Sequence, residues 1–236
     1  MFQLNPNNFP RNSFWGRVIR LPLSLIPKNT VIPVLQGPAK GIKWIVGSGL
    51  HSMWLGWFET DKQQILQSLQ LGGTTVIDIG AHVGFFTVLL SRLVGEKGSV
   101  IAVEPLPINL DFINRHIHLN QIENITVLQV ALSDKKGVMK FASTGHSSSA
   151  HLAEDGDLEV SVVTLDSLNN FTTPVSLVKI DVEGAEADLL RGGEAFFKSN
   201  RPIILLATHS EAQVEDCRSI LTRYGYSMEP IGVDPY

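Results

Sequence analysis

The chain has 236 residues, 44% of them hydrophobic, which is enough for one α/β domain with a substantial core and an N-terminal elaboration, and too few for two full domains. A formal net charge of −4 leaves no broad basic footprint for nucleic acid or an anionic membrane, so small molecules, glycans or proteins are the expected partners. The single cysteine, Cys217, excludes an intrachain disulfide framework and suits a reducing compartment.

No apolar run reaches the length of about 18 residues that a membrane helix needs. The nearest thing to a secretory core, Val18 to Ile26, is interrupted by Pro22 and lacks a small-residue cleavage site. The chain therefore reads as cytoplasmic. Residues 1–60 read as an N-terminal arm and hairpin, and residues 61–236 as the α/β domain. Within the first part, residues 1–30 are rich in Asn, Pro and Arg, and Arg11, Arg17 and Arg20 read as a solvated face. The apolar runs Val31 to Gln36 and Ile42 to Val46 flank Gly37-Pro38-Ala39-Lys40-Gly41, a pattern for a hairpin. The aromatic stretch His51 to Glu59 is either a lid or packing of the arm on the sheet, and a helix follows at Asp61 to Leu69.

From Thr75 the pattern alternates strand and helix, which predicts a parallel sheet. Val76-Ile77-Asp78-Ile79-Gly80-Ala81-His82-Val83-Gly84 is a β-branched strand ending in an acid, a glycine turn and a helix start, the kind of junction beside which open α/β sheets bind ligands. Asp78 offers a carboxylate, and Gly80 and Gly84 allow close approach of the backbone. Phe86, Leu89, Leu90 and Leu93 give the following helix one buried face. A second strand, Ser99 to Val103, ends in Glu104, about 20 residues after Gly84 and suited to ribose hydroxyls.

A dinucleotide fingerprint has glycine where this loop has His82, so a nucleoside without a pyrophosphate is favoured. S-adenosylmethionine is the leading candidate. A nicotinamide dinucleotide, a non-catalytic nucleoside module and an ordinary ligand-free turn are the alternatives.

The next helix opens at Pro107, with Leu110, Ile113 and Ile117 inward; His116 and His118 read as surface residues. Ile125 to Leu132 reads as a third strand whose end brings Leu132 near an adenine. Val138 to Phe141 and Leu158 to Leu165 are further strands, and the polar run Gly145 to His151 between them reads as a mobile substrate loop or a plain connection. A second acid-tipped strand then appears in Leu177-Val178-Lys179-Ile180-Asp181-Val182-Glu183-Gly184-Ala185-Glu186. Helix capping explains one or two of its three carboxylates better than all three. The strand Pro202 to Ala207 ends in Thr208-His209, on the same sheet edge. A helix over Glu211 to Tyr224, with Cys217 on its apolar face, and a last strand near Tyr226 to Ile231 complete the pattern. No residue is assigned to a metal.

Several of these blocks occur together in one known group. Gly56-Trp57-Phe58-Glu59, V-I-D-I-G-A-H-V-G-F-F-T at 76 to 87, V-E-P at 103 to 105, A-L-S-D at 131 to 134, T-L-D-S-L at 164 to 168, K-I-D-V-E-G-A-E at 179 to 186 and L-L-R-G-G at 189 to 193 resemble the FkbM family of S-adenosylmethionine-dependent methyltransferases. The resemblance implies a class I methyltransferase, Rossmann-like three-layer sandwich with a mostly parallel sheet; the chain departs from the family in having Thr208 before His209, where Glu is common, and in an expected sheet one strand short of the final antiparallel strand. It implies cofactor contacts at Asp78, Gly80, Gly84 and Glu104, to which Ala81, His82 and Leu132 are added by position. It also implies O-methylation of a sugar or other small-molecule hydroxyl. Asp181, Glu183 and His209 are the proton acceptors available at that edge, with His209 the expected base and Asp181 orienting it.

Overall fold

The computed structural model describes residue 23 and residues 25–142, 151–152, 158–168 and 174–231. Five parallel strands carry the domain: β3 (Thr75–Ile79), β4 (Ser99–Val103), β5 (Ile125–Leu128), β10 (Val175–Ile180) and β11 (Ile203–Leu206). Their order is β11-β10-β3-β4-β5, so the first strand of the domain, β3, lies at the centre and is buried along its whole length. Chain progression reverses between β3 and β10, which makes the tips of these two strands the topological switch point.

The period-2 alternation of the strands divides the core into two faces. Val76, Val100 and Leu177 point to one side, where they meet Phe86, Leu89 and Leu90 of helix α3 (Phe85–Val94). On the same side Ala102 packs on Leu110 and Ile113 of α4 (Pro107–Asn120). Ile77, Ile79, Val178 and Ile180 point to the other side. There they meet Leu189 and Leu190 of α5 (Glu186–Arg191), Phe196 and Phe197 of α6 (Glu194–Asn200), and Cys217, Ile220 and Leu221 of α7 (Glu211–Arg223). This is the expected three-layer α/β sandwich with a parallel sheet. Cys217 is fully buried, and burial pushes its thiol up to about 11, which removes it as a nucleophile at neutral pH.

The expected hairpin is present as β1 (Val31–Pro33) paired antiparallel with β2 (Lys43–Ile45). The aromatic stretch after it packs on the domain: α1 (His51–Leu55) buries Met53 and Trp54 in the same hydrophobic cluster as α3, while Met53, Phe58 and Glu59 also line the cleft described below. Helix α2 (Thr60–Ser68) follows as expected.

Some expectations fail, each for a physical reason. His116 is not a surface residue. It is wholly buried, stacked 3.7 Å from the Trp44 ring, and it accepts from the Ile45 amide at Nε2 while its Nδ1 faces Val83 O at 2.9 Å. One imidazole thus ties the hairpin and the loop after β3 to α4. His118 is exposed, as expected.

The run Ile125 to Leu132 is not one strand. β5 ends at Leu128, and Ala131–Leu132 (β6) leaves the main sheet to pair with β9 (Leu158–Val163) in a small sheet of order β6-β9-β7-β8. There β7 (Gly137–Ala142) is antiparallel to β9 and to β8 (His151–Leu152). The strand expected near Tyr226 to Ile231 is irregular. Gly225 at φ +81° turns the chain back, the Tyr226 amide donates to Leu221 O, and the Tyr226 hydroxyl donates to Phe197 O, so this segment caps α7 instead of pairing with β11. The polar run from Gly145 to Ala150 and the arm over residues 1–22 lie outside the described residues.

Candidate active site

The carboxyl ends of β3, β4, β10 and β11 open into one cleft of about 1860 Å³, lined by Gly80, Ala81, His82, Glu104, Leu132, Asp181, Glu183 and His209 among others. The two chemical clusters read from the sequence therefore face the same space. Asp78 and Gly84 do not line it.

Asp78 is completely buried one residue short of the strand tip, where its Oδ2 accepts from Thr87 Oγ1 at 2.6 Å and its Oδ1 lies 3.1 Å from Lys179 Nζ. Lys179, itself buried, sits between carboxylates, 3.9 Å from Asp181 Oδ2, and 5.3 Å over the Phe86 ring. Burial works to lower its pKa, but the Asp78 and Asp181 charges outweigh burial and hold the ammonium above the ordinary lysine value. The sequence pattern gives Lys179 no role by itself, although a lysine inside Leu177-Val178-Lys179-Ile180 is a visible signal that a buried carboxylate lies on the neighbouring strand.

The turn after β3 is built by the chain's own backbone. At Gly80 φ is +73°, and a Cβ there would come within 1.8 Å of the Asp181 carbonyl oxygen. The glycine is thus required by the adjacent β10 tip. The amides of Gly80 and Ala81 both donate to Val103 O, which locks the turn against β4.

Glu104 is 4% exposed, and three donors hold it: the Leu106 amide and Asn109 Nδ2 at Oε1, and the His82 amide at Oε2, 2.8 Å away. Burial pushes its carboxyl above the usual carboxylate range in spite of those hydrogen bonds. Asn109, also in the cleft wall, has a buried Oδ1 with no hydrogen-bond partner among the described residues. An oxygen of that kind is costly unless a donor reaches it. Glu104 and Asn109 together are acceptors suited to the hydroxyls or the exocyclic amine of a nucleoside, and Leu132 beside them offers an apolar surface.

Across the cleft, His209 Nε2 lies 3.4 Å from Asp181 Oδ1, 3.9 Å from Glu183 Oε2 and 3.7 Å from Glu186 Oε1. Asp181 follows directly on β10, and His209 stands between β11 and α7, so neighbouring parallel strands deliver them to one point. Glu183 is held at φ +53°, with its side chain 84% exposed. Glu186 is buried, and its Oε1 accepts from the Val182 and Gly184 amides; it is the carboxylate of the three that caps the loop.

A model of the methyltransferase FkbM domain matches residues 78–228, from Asp78 to beyond His209. The chain belongs to the FkbM methyltransferase family. Among similar proteins, "Methyltransferase 1" of Beauveria bassiana (strain ARSEF 2860) is 27% identical over 143 residues, a match covering 50% of this chain and 57% of that one. The chain thus spans little more than half the length of that curated relative. Among solved structures, the methyltransferase FkbM of Methylobacillus flagellatus KT is 20% identical with a TM-score of 0.49, over 66% of this chain and 38% of that one. An S-adenosylmethionine-dependent O-methyltransferase of Thermotoga maritima is 14% identical with a TM-score of 0.48, over 83% of this chain and 62% of that one.

Proposed function

We propose that this FkbM-family chain transfers a methyl group from S-adenosylmethionine to a hydroxyl of a sugar or other small-molecule acceptor. The observation that carries the reading is that the family match runs through both acid-tipped strands, and that Glu104 and the Asp181–Glu183–His209 group lie on one cleft.

Glu104 and Asn109 would hold the nucleoside end of the donor, with Leu132 against the base. S-adenosylmethionine brings an electrophilic methyl on a sulfonium, so the protein's task is to align the acceptor oxygen and dispose of its proton. The proton passes to His209, and the Asp181 carboxylate, 3.4 Å from Nε2, stabilises the imidazolium that forms. In the transfer an oxygen lone pair forms the new C–O bond, the C–S bond breaks, and the thioether product carries no charge.

A nicotinamide dinucleotide is disfavoured by the loop itself. The His82 amide, where such a loop would hold a pyrophosphate, already donates to Glu104. Methyl transfer from labelled S-adenosylmethionine to a panel of sugars and small alcohols tests the reading. His209→Ala and Asp181→Asn should each lower turnover at least about tenfold while donor affinity stays within a few fold. If either variant lost donor binding but kept its turnover at saturation, that residue would serve the donor and not the acceptor.

A further inference from the structure

We propose that Asp181, Glu183 and His209 form a binding site for a first-row divalent cation at the tips of β10 and β11. One ligand atom from each of the three side chains lies within 4.8 Å of the other two. Metal bonds of about 2.0–2.2 Å place adjacent ligands roughly 3–3.5 Å apart. His209 Nε2 and Asp181 Oδ1, at 3.4 Å, are already at that separation. Glu183 Oε2, at 3.9 Å from the same nitrogen, belongs to a side chain exposed enough to close the remaining gap.

Glu186 supplies an independent observation. It is fully buried, and its carboxylate lies against the cluster, with Oε1 3.7 Å from His209 Nε2. Its role as a cap for the Val182 and Gly184 amides accounts for Oε1 alone. The other oxygen, Oε2, is buried with no hydrogen-bond partner among the described residues. A buried carboxylate oxygen left in this way is strongly unfavourable unless positive charge is nearby. The nearby Lys179 is taken up by other carboxylates, 3.1 Å from Asp78 and 3.9 Å from Asp181. A cation held by the three outer ligands would place two positive charges beside Glu186.

The donor set selects the ion. Calcium takes about six to eight oxygen ligands. One imidazole nitrogen with carboxylates, open to the cleft on the Glu183 side, suits manganese, iron or zinc better. The consequence for chemistry, though not the binding itself, rests on the methyl-transfer reading above. A cation here would take up His209 Nε2, so the imidazole would serve as a ligand and not as the base; an acceptor hydroxyl entering an open position would be made more acidic and lose its proton to solvent, and an acceptor with two adjacent hydroxyls would chelate the ion.

The test is titration of Mn²⁺ into the chelator-stripped full chain, with free Mn²⁺ followed by electron paramagnetic resonance and Zn²⁺ used as a competitor. One saturable site per chain is expected, with Zn²⁺ displacing Mn²⁺ and Ca²⁺ displacing it poorly. Glu183→Gln, His209→Ala and Glu186→Gln should each weaken binding at least about tenfold. Glu123→Gln, an exposed residue before β5 at the opposite end of the sheet, should leave it unchanged. Because Glu183 is largely exposed, its variant folds whatever becomes of the others. Absence of saturable binding of either ion, or affinity in Glu183→Gln and His209→Ala equal to that of the native chain, overturns the site. Since no methyl donor enters this assay, an enzyme that bound Mn²⁺ but transferred no methyl group would refute the proposed function and leave the cation site standing.

Discussion

The imidazole of His116 should give the fold an acid-sensitive joint. Burial, outweighing the contact to Val83 O, lowers its pKa from 6.5 to about 4. The neutral ring is the form that fits, because Nε2 accepts from the Ile45 amide and so cannot also carry a proton. A base whose pKa is depressed by folding contributes no penalty above its unfolded value, near 6.5. As pH falls from there toward 4, the unfolded chain takes up a proton that the folded chain refuses, and stability drops. One pKa unit is worth about 1.36 kcal/mol, so the loss by pH 4 should reach roughly 3 kcal/mol, a large share of a typical 5–15 kcal/mol total. Urea unfolding of the native chain and of His116→Asn, across pH 4 to 8, isolates the effect. The variant lacks the titrating group, so the gap between the two should narrow by roughly that 3 kcal/mol as the pH falls. Parallel curves would show that His116 does not titrate with folding, and would refute the argument from burial.

Two further predictions concern the frame of the site. Gly80→Ala combines a left-handed backbone, worth about 1–2 kcal/mol, with a Cβ placed 1.8 Å from Asp181 O; Gly41→Ala, at φ +85° with nothing within 4 Å, carries the first cost alone. Chemical denaturation should find the Gly80 variant clearly less stable than the Gly41 variant, and equal losses would mean that the contact with β10 is not limiting. Lys179→Met leaves Asp78 buried without its ion-pair partner and should cost about 3–5 kcal/mol, part of which Asp78→Asn restores in the double variant. A loss of less than about 1 kcal/mol would indicate that Asp78 relaxes onto Thr87 alone.

Much of this frame is legible from local sequence because four of the five main strands are β-branched or leucine-rich runs with an acid or histidine at or shortly after the end. Helix α3 begins and ends where its apolar period does, and the hairpin follows from its two short runs and glycine loop. The failures come from contacts distant in sequence. His116 lies on the same stripe of α4 as Asn109 and Ile113, so the helical period already placed it inward; its partners Trp44 and Ile45 are about 70 residues away. The break after Leu128 was hidden because Ala131 and Leu132 are as strand-like as the residues before them, and pairing with β9 alone decides which sheet they join. At the site, both clusters were visible, but not that Asp78 answers to Lys179, nor that Gly80 makes room for Asp181. The partner role of Asn109, an ordinary residue in the first turn of α4, carries no sequence signal comparable to an acid-tipped strand.

The central claim is that the cleft takes an adenosyl group through Glu104. Calorimetric titration of S-adenosylhomocysteine, compared with NAD⁺, into the native chain and into Glu104→Ala tests it most directly. The native chain should bind S-adenosylhomocysteine and not NAD⁺. Removing the carboxylate should lose charge-assisted hydrogen bonds of about 1.5–3 kcal/mol each, a weakening of roughly ten- to 150-fold per bond. Unchanged S-adenosylhomocysteine affinity in a folded Glu104→Ala chain, or tighter binding of NAD⁺ by the native one, would contradict the account.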